Sequence, residues 1–463
     1  MSSRSDDWYK PRPYPHFDWP IHRSEAEEIV TDPKEVASHS FYPLIKRLDQ
    51  TPEYDPLARP AKKGNEAEVR YKSRRICYAA HLDSHIYSYY SDLLSEEYED
   101  FLGARDFGSS VVAYRQFDEP KCNIHFARDV FRHIYNTCTP DQPLVALVFD
   151  IRGFFDYLNH GFLKESWGQI VGQSRLPEDH YQLYKSLTKY AYVKISRLRE
   201  LFPDFYEQSR KERENQQICP PHEFRTKVRG QGHVIVNPHE YGIPQGTPIS
   251  ALLSNIYMRP FDKAVHNRVP SQDGIYRRYS DDLIVVVPAS EKNAVEDFVM
   301  SKIAERKLSI QKKKTEKYAF FHNGTRIIGR NLDEDADRSI PEVNQLQYLG
   351  FVFDGEDIRI RPSSLTQYYR RMNGAIKAEA NRALEDPIDK EEPVIRRSSL
   401  YERFSHKGKR NFVQYAYRAA DIMKKVTGRD AIRPQVANHW EVLHERIEQW
   451  EDWAREEIQK EES

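Results

Sequence analysis

Two apolar segments that end in carboxylates constrain this chain more than any other feature. Leu144–Phe149 is an unbroken apolar run rich in branched residues, which suits a buried strand, and Asp150 ends it. From Gly274 to Val287 the pattern reads as a hairpin: strand Ile275–Tyr279, a tight turn at Ser280, Asp281 and Asp282, and strand Leu283–Val287. A carboxylate pair held between buried strands is costly unless basic side chains or a divalent cation neutralise it. An ordinary solvated Asp-Asp turn is the alternative, and the rest of the chain decides between them.

The chain has 463 residues, room for two to four structural units at roughly 100–200 residues each. With 70 Lys and Arg against 71 Asp and Glu, a uniformly basic nucleic-acid coat is excluded. The charge is nevertheless segregated. Residues 361–433 carry 17 basic and 9 acidic residues, and residues 434–463 carry 3 and 9. A basic helical module with an acidic end is expected, because local field matters more than the sum. The acidic stretch Glu441–Glu462 fits a partner surface, a cover for the basic helices, or a solvated helix. Cys77, Cys122, Cys138 and Cys219 form no C-x-x-C pair, which argues against a cysteine zinc site or a disulfide framework. The polar N-terminus and the lack of a long apolar run predict a soluble, cytoplasmic protein with no membrane partner.

The proline- and aromatic-rich start, Trp8 to Pro15, is expected to be irregular and either docked or loose. Scattered basic residues follow: Arg70, Lys72, Arg74, Arg75, Arg105, Arg115 and Lys121. Residues 123–137 have helical apolar spacing, 160–215 read as basic and mainly helical, and Pro248–Met258 reads as a helix. Tyr348–Phe353 reads as a strand. In the aromatic-basic stretches at Tyr368–Arg371 and Arg410–Arg418, the rings suit nucleic-acid contacts or a helix core, and the core is favoured.

Asp150, Asp281 and Asp282 would converge if their strands were neighbours in one sheet. Two hard cations held by such a set can clamp an in-line displacement at phosphorus. Mg²⁺ suits this, because it takes a few carboxylates plus substrate phosphates. The loop at Tyr241–Pro248 adds Gly242 and Gly246, which allow close backbone approach, and Pro244 and Pro248, which stiffen it before a helix.

These elements, taken in order, resemble the bacterial reverse transcriptases of the group II intron and retron type. Phe149–His160 (FDIRGFFDYLNH) resembles the family's first palm motif and Gly242–Tyr257 (GIPQGTPISALLSNIY) its second. Arg278–Asp282 (RYSDD) resembles the Tyr-x-Asp-Asp motif, Leu308–Thr315 (LSIQKKKT) the lysine motif, and Tyr348–Phe351 the primer grip. Fainter likenesses to the fingers motifs lie at Ser73–Asp83 and Ala113–Arg115.

The resemblance implies an α+β right-hand polymerase. Its parts would be an N-terminal extension at 1–65, fingers at 66–145, a palm with a small antiparallel sheet at 146–360, and a helical thumb at 361–463. It implies that Asp150, Asp281, Asp282 and the carbonyl of Ile151 hold two Mg²⁺ ions, with Mn²⁺ as the alternative. Phe155 would exclude a 2′-OH and so select deoxynucleotides. Gln245 would lie beside the incoming nucleotide and Lys314 beside its triphosphate. Arg74, Arg75 and Arg115 would contact phosphates, and Tyr348, Leu349 and Gly350 would grip the primer. The implied partners are an RNA template, deoxynucleoside triphosphates and a DNA product; oligomerisation is left open.

The chain departs from the family in three places. The 95 positions from Asp150 to Gln245 imply a basic helical insertion at about 175–229. No maturase or endonuclease tail is recognisable. Val426–Gly428 and Asn123–His125 match retron signatures only in the wrong place or in part. What remains is similar to the stand-alone defence-associated reverse transcriptases, which suggests antiphage defence with a noncoding RNA template. Untemplated or protein-primed DNA synthesis by the same carboxylates stays open. A catalytically idle RNA-binding scaffold is the rival from another class.

Overall fold

The computed structural model describes residues 8–52, 71–269, 273–334, 336, 338–385 and 394–461. Its strands are β1 (Leu44–Pro52), β2 (Tyr71–Tyr78), β3 (Leu144–Asp150), β4 (Ala191–Lys194), β5 (Ile235–Val236) and β6 (Ile275–Tyr279), then β7 (Asp282–Pro288), β8 (Glu316–His322), β9 (Ile327–Asn331), β10 (Leu346–Tyr348), β11 (Phe351–Phe353) and β12 (Ile358–Ile360). They form three sheets, ordered β2-β1-β4-β5, β6-β7-β3-β8-β9 and β10-β11-β12.

β3 lies at the centre of the five-stranded sheet, antiparallel to both β7 and β8. Its side chains alternate between two cores. Val145, Leu147 and Phe149 share one with Leu283, Val285 and Val287. Leu144 and Ala146 share the other with Ile284 and Val286. Burial on both faces is why the run is apolar throughout instead of alternating. Helices His81–Gly103, Ser250–Arg268 and Lys292–Glu305 cover the first face. Helices Asn123–Thr137 and Phe412–Thr427, with the β10-β11-β12 sheet, cover the second. The α+β class with a small antiparallel palm sheet is therefore as expected.

The smaller sheet draws together strands from separate stretches of the chain. β1 pairs antiparallel with β2 from Ile45↔Tyr78 to Pro52↔Tyr71, so a division at residue 65 falls between two paired strands. Residues 53–70 between the two strands, Arg70 among them, lie outside the described residues. The 175–229 stretch is not purely helical: it supplies β4, which pairs parallel with β1 and antiparallel with β5. The N-terminal segment is docked. Trp8 is buried against His85 and Tyr89, Tyr9 stacks on His85 at 4.5 Å, and Phe17 packs on Phe224 at 4.7 Å.

Two local readings also change. Tyr348–Phe353 is not one strand but a hairpin, with Tyr348 opposite Phe351 and both loop residues left-handed (Leu349 φ 47°, Gly350 φ 91°). Positive φ at both central positions suits the twist of a two-residue hairpin. The helix after the glycine loop begins at Ser250, not Pro248, and continues to Arg268 through Pro260.

Toward the C-terminus, Tyr368, Met372, Ile376, Leu400, Leu443 and Ile447 share a third core. Tyr368 is thus a core residue, as favoured above. The acidic helix His439–Glu461 lays its apolar stripe against Pro362–Glu385, and Glu451 takes both its ion-pair bonds from Arg397. It covers part of the basic module; Glu462 lies outside the described residues.

Candidate active site

The β3–β7 register sets Asp150 directly across from Asp282. The β6–β7 register sets Tyr279 opposite Asp282, leaving Ser280 and Asp281 as a two-residue loop with Ser280 left-handed (φ 61°). The amide of Ile151 donates to the Asp281 carbonyl at 3.2 Å, tying the turn to the end of β3. Asp150 and the adjacent pair Asp281 and Asp282, more than 130 positions further along the chain, thus meet at one edge of the sheet.

The lysine motif is strapped alongside. The amide of Gln311 donates to the Asp150 carbonyl at 2.8 Å, and that of Arg152 to the Ser309 carbonyl at 2.9 Å. This brings Lys314 Nζ to 3.7 Å from Asp150 Oδ2, with the lysine side chain 42% exposed. Burial pushes the Asp150 carboxyl above its usual range, and Asp281 adds to this while Lys314 and Lys72 oppose it. Asp282 is pushed up to about 6, by burial first and then by Asp281 and Asp150, against Lys72 and Arg361. Like charges this close resist joint ionisation, and a bound divalent cation reverses that balance. Among the described residues no group of three or more His, Cys, Asp or Glu forms a metal cage. A few hard oxygen donors completed by substrate phosphates are the usual Mg²⁺ arrangement, so the donor set fits that ion.

The first two palm motifs are stitched together. The amide of Ile243 donates to the Phe155 carbonyl and that of Gly242 to the Leu158 carbonyl, both at 2.9 Å. A Cβ on Gly242 would lie 2.7 Å from the Asp156 carbonyl oxygen. Phe155 is half-buried, its ring 5.4 Å from Phe154. Gln245 is also half-buried, and its carbonyl accepts the Cys77 amide of β2 at 2.8 Å. The close partner of the glycine loop is therefore the chain's own backbone.

The three expected arginines separate. Arg74 and Arg75 are exposed neighbours on β2 and face opposite sides of the ladder. Arg115 is not available to a phosphate. It is 9% exposed, holds Glu99 through two bonds of 2.7 and 2.6 Å, and donates to the carbonyls of Gly108 and Val111. Lys72, which shares a face with Arg74, acts on both Asp150 and Asp282 and was not singled out by sequence. The available signal was its alternation with Arg74 along one strand. Arg361 was also missed; its amide donates to the Gly350 carbonyl at 3.0 Å, and its charge acts on Asp282. In the hairpin at Tyr348–Phe351, Tyr348 is buried, and the Leu349 carbonyl accepts Asn123 Nδ2 at 3.0 Å.

A family model described as reverse transcriptase (RNA-dependent DNA polymerase) matches residues 112–353, just over half of the chain. The chain belongs to this family. No curated protein matches it. Among solved structures, this reverse transcriptase family member is similar to a truncated apo telomerase from Candida tropicalis, at 11% identity and a TM-score of 0.42, covering 73% of this chain and 60% of that one. Telomerase from Candida albicans with the TWJ fragment of telomeric RNA gives 11% and 0.42, covering 94% and 67%. Apo telomerase from Candida tropicalis gives 13% and 0.41, covering 92% and 64%. The chain thus spans about three fifths to two thirds of those proteins. Among its described residues no helix is long and apolar enough to cross a membrane.

Proposed function

We propose that this chain is an RNA-directed DNA polymerase that adds deoxynucleotides to a primer 3′-OH. The observation that carries the reading is the register of Asp150 against Asp282, with Asp281 on the adjoining turn, inside a family-matched segment. The oxygen of the 3′-OH bonds to the α-phosphorus as its proton passes to water, the α–β phosphoanhydride bond breaks, and pyrophosphate leaves. Asp150, Asp281, Asp282 and the Ile151 carbonyl would hold two Mg²⁺, or Mn²⁺, which supply charge stabilisation at the attacking and leaving oxygens. Lys314, with its ammonium 3.7 Å from Asp150, would donate the proton that the leaving pyrophosphate takes up. Phe155 would fill the volume a ribose 2′-OH needs, and Gln245 would flank the incoming nucleotide.

Lys72, together with Arg74 on the same face of β2, takes the phosphate role first given to three arginines. The hairpin Tyr348–Gly350 would hold the primer end, and the basic C-terminal helices the template–primer duplex through its backbone. Our finer reading is a bacterial, cytoplasmic enzyme of the group II intron and retron type. It would serve antiphage defence with a noncoding RNA template, and its fingers would begin at β1 instead of residue 66.

The test is deoxynucleotide incorporation by the purified protein with its co-purifying RNA, with and without Mg²⁺, followed by sequencing the product. Complementarity to the bound RNA is expected, with a loss of at least about 10³-fold in Asp281→Asn. A homopolymer made after RNA removal would instead indicate untemplated synthesis. DNA covalently attached to the protein would indicate protein priming. Equal activity of Asp281→Asn would overturn the assignment.

A further inference from the structure

Arg278 and Asp262 form an ion pair in which both side chains are 0% exposed. The guanidinium Nε donates to Asp262 Oδ1 and Nη2 to Oδ2, each at 2.7 Å. Nη1 donates to Asn255 Oδ1 at 2.9 Å and to the Ser280 carbonyl at 3.2 Å. Asn255 and Asp262 lie two turns apart on the helix that follows Gln245, so they present one face. Asn255 Nδ2 also donates to the Ala113 carbonyl at 2.7 Å, and the Val112 amide donates to the Arg278 carbonyl at 3.0 Å. Tyr276 Oη completes the set by donating to Asp262 Oδ1 at 2.7 Å.

A buried ion pair is a poor source of stability, since apolar residues of similar volume often serve as well or better. The bond to Ser280 suggests what this one does. Ser280 is the left-handed residue of the loop, and its carbonyl belongs to the peptide that leads into Asp281. The next carbonyl, that of Asp281, accepts the Ile151 amide. Both successive peptides of the turn are therefore held, one by Arg278 and one by the end of β3. Rotation of the first would turn the backbone at Asp281 and so redirect its carboxylate relative to that of Asp282.

We infer that Arg278 is a positioning residue: clamped by Asp262 and Asn255, it fixes the Ser280 peptide and thereby the geometry in which Asp281 and Asp282 are presented. The same clamp ties the turn to the helix behind Gln245 and to segment 111–113. The inference rests on the polymerase reading of those carboxylates. A fixed fork is needed, because the planar guanidinium reaches Asp262, Asn255 and Ser280 at once and a lysine ammonium does not.

The experiment compares wild type with R278K and with the apolar double replacement R278M/D262L. It measures Mn²⁺ affinity by electron paramagnetic resonance, kcat and KM for a deoxynucleotide, and thermal unfolding. We expect both variants to fold, Mn²⁺ affinity to fall about tenfold, and kcat to fall about 10–100-fold with KM within about twofold. Wild-type Mn²⁺ affinity and kcat in a folded R278M/D262L would overturn the inference. Failure of both variants to fold would assign the network to stability alone and also overturn it. If wild type itself neither binds Mn²⁺ nor incorporates nucleotide, the polymerase reading fails first, and that result is distinct from either of the others.

Discussion

Gly246→Ala tests how the glycine loop is joined to β2. Gly246 has φ 112°, outside the left-handed well that some L-residues tolerate. A Cβ there would lie 2.6 Å from the Cys77 carbonyl oxygen and 2.9 Å from Ile76 Cγ2. The backbone strain costs about 1–3 kcal/mol. Relieving the overlap by moving a packed strand costs about 1–3 kcal/mol more. The total is about 2–6 kcal/mol, spent in separating β2 from the loop and lengthening the Cys77 amide bond to the Gln245 carbonyl. Because β2 carries Lys72 and Arg74 on one face and the loop carries Gln245, the KM for deoxynucleotide should rise about tenfold or more. Gly172→Ala is the control. Gly172 lies in the left-handed well (φ 67°), and nothing lies within 4 Å of its Cβ position. It should cost only about 1 kcal/mol and leave KM unchanged. Urea unfolding and steady-state kinetics on both variants supply the numbers. If Gly246→Ala costs no more than Gly172→Ala, the close approach of β2 does not hold the loop.

Asp282, at about 6 against an ordinary 3.8, should couple metal affinity to pH. Its raised value favours the metal-free folded state below pH 3.8, and that contribution is lost as pH rises through 6. Metal needs the ionised carboxylate, so Mn²⁺ affinity should instead fall about tenfold per pH unit below 6. Equal Mn²⁺ affinity at pH 5 and pH 7 would refute the coupling. Phe155→Ala should reduce discrimination against ribonucleotides about 10–100-fold in single-nucleotide incorporation; unchanged discrimination would remove Phe155 from the gate. Arg115→Ala should destabilise the fold by about 1.5–3 kcal/mol by leaving Glu99 with the Gln116 amide but without its two guanidinium bonds. It should leave the deoxynucleotide KM within about twofold, whereas a large KM rise at unchanged stability would restore a phosphate role.

Much of the palm was legible before any coordinates. The apolar run ending at Asp150 and the hairpin around Asp281 and Asp282 were read with near-correct bounds, because buried strands and tight turns are coded over a few neighbouring residues. The Tyr348–Phe353 hairpin was missed for the opposite reason. Leu349 is not a residue that announces positive φ; it takes that conformation where Asn123 holds its carbonyl and the β10–β11 pairing demands it. The strand in 175–229 was missed because β4 is only four residues long and becomes a strand by pairing with β1, far away in sequence.

By itself, then, the sequence determined the strand that ends at Asp150, the hairpin around Asp281 and Asp282 and several helical segments, and which residue types stand at their ends. Periodicity and turn chemistry are local, and they survive without knowledge of partners. Tertiary structure alone decided which groups face each other. It set Asp150 against Asp282, turned Arg115 inward to Glu99, brought Lys72 to the carboxylates, and buried Arg278 behind their turn. A charged side chain has the same appearance in a sequence whether it is solvated, paired or catalytic. What it does depends on the low-dielectric surroundings and the opposite charge that packing places beside it.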